Sequence, residues 1–160
     1  MTTLYPVAGM KFYIGNAPLA DKDTDFVASD FNSVTWVEVT GWTQAGAIGD
    51  TAALITTQII SLSRDKKQKG TSNAGSMQNV FAMNQADPGQ LAMIAAAAPT
   101  NKNTYPFRIE GNDSLGVSNS KRYFVGLVMT AEESNGAANT IRNLACTVEV
   151  NSNIVRVAAA

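Results

Sequence analysis

Residues 122–130 read RYFVGLVMT, and the alternation in them decides how the chain folds. Tyr123, Val125, Leu127 and Met129 fall on one side of an extended chain, the period-two pattern of a strand that packs one face on a core. Neighbouring runs repeat it. In YPFRIE, residues 105–110, Tyr105, Phe107 and Ile109 share one face, and Pro106, Arg108 and Glu110 share the other. Pro106 has no N–H to give to a ladder, so this strand starts or lies at an edge there. In LACTVEV, residues 144–150, Leu144, Cys146, Val148 and Val150 alternate with Ala145, Thr147 and Glu149. Cys146 therefore reads as a small core residue, with nothing nearby to make its thiol reactive.

Outward from these runs, MKFYIG (10–15), TWVEVTGW (35–42) and ALITTQIISLS (53–63) read as earlier strands. Asn151–Asn153 turns the chain into a short last strand with Val155 and Val157. Asn135-Gly136 marks a hairpin whose polar flanks predict a loop longer than two residues. The sum is about seven strands, mostly antiparallel.

One segment departs from period two. In ADPGQLAMIAAAAPT (86–100), Asp87 is a helix N-cap, Pro88 opens the first turn, and Gln90 stands where a capping box has its second member. Leu91, Ile94, Ala95 and Ala98 form a face at helical spacing, and Pro99 stops the run. A helix this short needs that face docked on a sheet.

Between Leu62 and Asp87 lies SRDKKQKGTSNAGSMQNVFAMNQA (63–86), too long for an ordinary connection in a compact domain. Its first half is basic and polar, with Arg64, Lys66, Lys67, Lys69 and Gly70. Its second half carries Met77, Val80, Phe81 and Met83. Two readings stand: an arm whose apolar half docks on a neighbouring molecule, or a hairpin tip followed by one more core strand. An earlier loop, from about Gly15 to Val34, holds Asp21, Asp23 and Asp25. Their spacing is that of a calcium loop, but its glycine and bidentate Glu are missing, so a solvated acidic loop is the reading.

Composition narrows the function. The 160 residues include 45% hydrophobic and only 16% charged residues, with a net charge of −1. So little charge points to surface covered by self-association or by Thr, Asn and Ser. A dedicated nucleic-acid binder is far more basic. The chain has no histidine and one cysteine. That removes the commonest general base and the commonest metal ligand, along with any disulfide framework. With no Gly-rich phosphate loop either, the expectation is no enzyme, no cofactor and no metal. The N-terminal MTTLYPVAGMKF is not built like a secretory signal, and LAMIAAAAP is too short to cross a bilayer. A soluble protein made in a cytoplasm is expected.

The order of features resembles the major tail tube protein of long-tailed bacteriophages, especially those with flexible, non-contractile, siphovirus-like tails. The resemblance runs from about Trp36 to Val157: WVEVTGWTQAGAIGDTA, the strand ALITTQIISLS leading into KKQKGT, the DPGQLA helix start, YPFRIEG, the Phe124–Val128 centre, and CTVEVNSNIVRV. It implies a single β domain over 1–160, an antiparallel β-sandwich or barrel with one short α-helix, without the C-terminal immunoglobulin-like domain some relatives carry. It also implies an extended loop or arm over 63–86 that reaches the next subunit. Arg64, Lys66, Lys67, Lys69, Gly70, Phe81 and Met83 would form that arm. Six copies would join sheets edge to edge into rings, and rings would stack into a conduit for DNA. A conduit must release its cargo, and each phosphate neutralised costs salt-dependent affinity to undo. Lumen-facing groups are therefore expected to be acidic or neutral, with Thr56 and Gln58 as candidates. The implied partners are further copies of the chain and the tape measure, tail terminator and distal tail proteins; DNA passes without specific binding, and no membrane is involved. The implied location is the virion tail, after assembly in the host bacterial cytoplasm. A terminator, a connector or a secretion-tube ring of the same fold, and a monomeric β-sandwich binding module showing Trp36 and Trp42, are the competing readings.

Overall fold

A computed structural model describes residues 3–160; Met1 and Thr2 of the N-terminal stretch lie outside the described residues. The protein is mainly antiparallel β with one α-helix. Among the described residues there are ten strands: β1 (Lys11–Gly15), β2 (Trp36–Val39), β3 (Trp42–Gln44), β4 (Thr51–Thr57), β5 (Lys66–Asn73), β6 (Ser76–Ala82), β7 (Tyr105–Glu110), β8 (Lys121–Ser134), β9 (Asn143–Val150) and β10 (Val155–Val157). The helix α1 spans Pro88–Ala96, between β6 and β7.

Eight strands make one sheet in the order β2-β1-β7-β8-β9-β6-β3, with β10 added to β8. The first and last strands of that order are joined in sequence by Thr40 and Gly41 alone. The sheet must therefore roll until its two ends meet, which gives a barrel-like sandwich. Gly41 makes the corner with φ of 79°, where its backbone carbonyl accepts from the Ala82 N–H at 2.7 Å. TWVEVTGW is thus two strands in two layers, broken at the glycine.

The opposite corner is β8. Its first half, Lys121 to Gly126, pairs with β7 and its second half pairs with β9. The register with β9 slips between Val128 and Thr130, which leaves Met129 as a bulge. Cover on both faces and this bulge together correct the reading of RYFVGLVMT. Phe124 and Val128 face the main core, and beyond the bulge the parity changes so that Ala131 faces it. Tyr123 and Val125 lie on the other face, while Met129 is 55% exposed. A period-two count cannot see an inserted residue, and it cannot see a strand covered on both faces.

The main core is aromatic. Phe12 lies 5.4 Å from Trp42 and 5.8 Å from both Phe81 and Phe107, centroid to centroid. Phe107, Ile109, Leu144, Cys146, Val148 and Val150 are buried in it on the faces their alternation indicated. Burial pushes the Cys146 thiol up to about 12, so it is an inert core group. A second cluster forms because the N-terminal loop folds over the outer face of β2 and β8. Phe26 and Phe31 press on Val125, Trp36 and Tyr123, with Phe31 stacked 5.0 Å from Tyr123. This loop is therefore more than a solvated acidic segment, although Asp21, Asp23 and Asp25 are exposed.

The helix docks by the face opposite to the expected one. Gly89, Gln90, Met93 and Ala96 are buried, while Leu91 is 50% exposed and Ile94 is exposed as well. The reason lies at Gly89, where a Cβ would run into the Glu38 carbonyl. Only this face lets the first turn sit directly on β2. Met93 then enters the core.

Candidate assembly site

Segment 63–86 does not form one arm. Its second half is β6, a central strand paired along its whole length with β9. Phe81 is 0% exposed and part of the main core, so it cannot anchor a neighbour. Met83 is half-buried and its N–H donates to the Arg142 carbonyl at 2.9 Å. Of the two open readings, the hairpin followed by a core strand describes this half. Composition could not choose, because apolar residues suit a self-made core and a partner's surface alike.

The first half belongs to a projecting hairpin. β4 and β5 pair only with each other. Among the described residues, every residue of β4 is exposed, and so is every residue of β5 except the half-buried Gly70. Lys66, Lys67 and Lys69 stand opposite Thr57, Thr56 and Leu54. Arg64 lies in the connecting turn and Gln58 just past the end of β4. ALITTQIISLS was expected to be one strand; it is strand only to Thr57, and Ile59, Ile60 and Leu62 sit in the exposed turn. Of the three ion pairs among the described residues, Lys22–Asp30, Arg108–Glu110 and Arg142–Glu133, none uses a hairpin cation.

Two further surfaces flank the body. β7 ends its pairing at Tyr105 opposite Gly126, so the stretch of β8 from Leu127 to Ser134 has β9 on one side and an open edge on the other. β3, at the far end of the sheet order, pairs only with β6. Between these two edges, β6, β9 and the second half of β8 turn their core residues inward. Gln78, Thr147, Glu149, Thr130 and Glu132 lie on the outer face, with Gln78 and Thr130 both opposite Thr147. The three stretches 76–82, 127–134 and 143–150 contain no Lys or Arg.

The helix start holds the corner between the layers. The Asp87 Oδ2 accepts from the Gln90 N–H at 2.9 Å and from the Thr40 N–H at 3.2 Å. Gln90 does not reach back to the cap. Its Nε2 donates to the carbonyls of Thr40 at 2.9 Å and Ala82 at 2.8 Å, and its Oε1 accepts from the Asn84 N–H at 2.9 Å. One buried amide thus ties α1, the β2–β3 corner and the end of β6 together. The sequence signalled Gln90 as a cap partner; its role as a tie between strands distant in sequence was not visible.

The acidic loop holds no gathered ligand set: among the described residues no three His, Cys, Asp or Glu side chains converge as a metal site. No helix among them is long and apolar enough to cross a membrane.

No protein-family pattern and no curated protein matches the chain by sequence. Its fold does match solved structures. A chain of the anti-feeding prophage baseplate, seen by six-fold symmetrised cryo-EM, is 13% identical and superposes with a TM-score of 0.66, covering 99% of this chain and 98% of that one. A chain of the extended-state sheath/tube terminator of the PVC extracellular contractile injection system is 10% identical, with a TM-score of 0.71 over 98% of this chain and 99% of that one. A chain of the SPP1 tail tube is 12% identical, with a TM-score of 0.61 over 94% of this chain and 78% of that one. At these identities the likeness is one of fold.

Proposed function

We propose that this chain is a structural tail-tube subunit: six copies join edge to edge into a ring, and rings stack into a tube through which DNA travels. The observation that carries the reading is the part of the sheet made by β6, β9 and the second half of β8, which has one buried face, an outer face without Lys or Arg, and an open edge on either side, at β8 and at β3. The free edge of β8 in one copy would take the β3 edge of the next. Such a contact is heterologous, so it repeats around a ring instead of closing a dimer. The outer face of β6, β9 and β8 would then line the lumen. Gln78, Thr147, Glu149 and Glu132 replace Thr56 and Gln58 as lumen candidates, because the latter two belong to the hairpin. Neutral and acidic groups let DNA slide where fixed cations would hold it.

The hairpin, over about residues 51–73, takes the place of the arm and would bridge rings, with Arg64, Lys66, Lys67 and Lys69 steering it. Six copies are supported by the sequence resemblance and by the six-fold symmetrised baseplate that shares the fold. Assignment to a non-contractile, siphovirus-like tail rests on the resemblance, since the fold is shared with contractile injection systems as well as with the SPP1 tail tube. Tape measure, terminator and distal tail proteins are the partners such a tube would meet in a virion built in a bacterial cytoplasm. No catalytic role is part of the proposal.

Negative-stain microscopy with light scattering of the purified protein tests it. Tubes of stacked rings are expected, on their own or after addition of an initiating complex. Single rings that never stack would assign a terminator or connector instead, and a permanent monomer under both conditions would overturn the proposal.

A further inference from the structure

Asparagine is frequent in the chain, but only Asn135 is followed by glycine. The pair stands just past the end of β8, in the loop that leads to β9. Every residue from 135 to 142 is exposed, so water and hydroxide reach the loop freely. Gly136 takes φ of 72°, and a Cβ there would lie 2.7 Å from the Thr140 Oγ1. The position keeps a residue without a side chain, and no Cβ crowds its nitrogen.

The backbone nitrogen and the side-chain amide of this pair are in contrasting states. Among the described residues nothing accepts from the Gly136 N–H. The Asn135 side chain is engaged: its Oδ1 accepts from the Arg142 Nε–H at 3.1 Å. The guanidinium is itself fixed, because its Nη2 donates to the Glu133 carboxylate at 2.9 Å. The Thr140 Oγ1 donates to the Ala137 carbonyl at 2.6 Å and closes the loop behind the pair. A charged donor on Oδ1 draws electron density from Cγ and stabilises negative charge that develops on that oxygen.

We propose that Asn135 is a site at which the chain converts its own amide into an acid, with Arg142 as the donor that accelerates the step. Hydroxide takes the Gly136 N–H proton, and the nitrogen attacks Asn135 Cγ. The N–Cγ bond forms as the carbonyl electron pair moves onto Oδ1, where the Arg142 Nε–H meets it. The pair returns, the Cγ–Nδ2 bond breaks, and Nδ2 takes a proton from water and leaves as ammonia, which regenerates the hydroxide. Water then opens the five-membered imide. Breaking the N–Cγ bond gives aspartate; breaking the bond from nitrogen to the backbone carbonyl carbon gives isoaspartate. The balance is one water consumed and one ammonia released, with no oxidant or reductant. The product places a new carboxylate next to Glu132 and Glu133 and facing Arg142, and the isoaspartyl form lengthens the backbone at the turn. The conversion belongs to the free subunit, whatever that subunit assembles into.

Incubation of the purified full chain at mildly alkaline pH, followed by peptide mass mapping, tests the site. Asn135 should become a mixture of aspartate and isoaspartate before any other asparagine changes, and Gly136→Ala should nearly stop the conversion. An Asn135 that stays an amide while other asparagines convert would overturn the site. An undiminished rate in Gly136→Ala would overturn the route through the imide. Arg142→Gln then separates the two things its contact could do. As a donor on Oδ1, Arg142 speeds the attack, and its loss should slow conversion about tenfold, against roughly a hundredfold for a shielded oxyanion donor, because this loop stands in water. As a clasp alone it would hold the amide still, and its loss would speed conversion. An equal or higher rate in Arg142→Gln therefore overturns the donor role. Arg142 is exposed, so the melting temperature of that variant should match the wild type.

Discussion

The eight-strand body and the β4–β5 hairpin use similar amino acids under opposite conditions. β9 carries Leu144, Cys146, Val148 and Val150, all buried, opposite a partner strand on each side. β4 carries Leu54 and Ile55, both exposed, and has one partner strand. Burying such a side chain yields about 1.5–3 kcal/mol. β9 collects that stabilisation within the chain, and β4 can collect it only from another molecule. The body should therefore set stability, and the hairpin should set assembly.

Separating those two quantities is the sharpest test. Phe81→Ala removes a fully buried ring from the body and should cost about 3–5 kcal/mol in denaturant unfolding. Replacing Ile59, Ile60 and Leu62 together by Ser should leave the unfolding midpoint of the free subunit unchanged while tube formation is lost. If the hairpin variant melts early, the tip packs on its own body and the contrast disappears.

The two faces of α1 repeat the comparison on a smaller scale. Met93→Ala should destabilise by about 2–5 kcal/mol, since Met93 is in the core. Leu91→Ala should cost less than about 1 kcal/mol in the free subunit, because half of Leu91 is already in water. Equal losses in thermal melts would mean that the helix docks by its other face.

Smaller effects are expected at the corner. Gln90→Ala removes the partner of three backbone groups, and with water reaching all but one of them the loss should be about 1–3 kcal/mol. Asp87→Ala should cost about 1 kcal/mol through the lost cap. A larger loss at Asp87 than at Gln90 would show that capping, and not the tie between layers, holds the corner.

The smallest effect concerns acid. The Ser120 hydroxyl and backbone N–H hold the Asp113 carboxyl below the usual carboxylate range. The Lys22 ammonium and the Val27 N–H do the same for Asp30. A lowered native pKa means that the folded state is favoured above the ordinary pKa, and that this contribution is lost as pH falls through the native value. Carboxylate NMR titrations should give both midpoints below that of a free aspartate, with the two loops exchanging amide protons faster in stronger acid. Midpoints at or above the free value would remove both clasps from the account.

Several elements were legible from residue order alone. Leu144 to Val150 alternate without interruption, and Asp87-Pro88 states a helix start that any local environment would accept. Cys146 was readable as core because its neighbours supply no charge to activate it. The segment 63–86 was legible only as two halves of different character. Hydrophobicity marks a residue as wanting cover but does not name the cover, so Phe81 in the core and Ile60 at the tip look alike in sequence.

Local chemistry thus determined the β class, the single helix, the strand runs around Phe107 and Val148, the long loop at Asn135-Gly136, and the poverty in charge and histidine. The tertiary structure decided what depends on pairs distant in the chain. It put β2 and β3 at opposite ends of one sheet because Gly41 turns the chain through φ of 79° between layers. It set the buried face of α1 because Gly89 must meet the Glu38 carbonyl. It reversed the parity of β8 by one inserted residue at Met129. Periodicity reports a residue's preference for one side of its own strand or helix. Which side becomes the inside is a property of the neighbours, and those arrive only when the chain has closed.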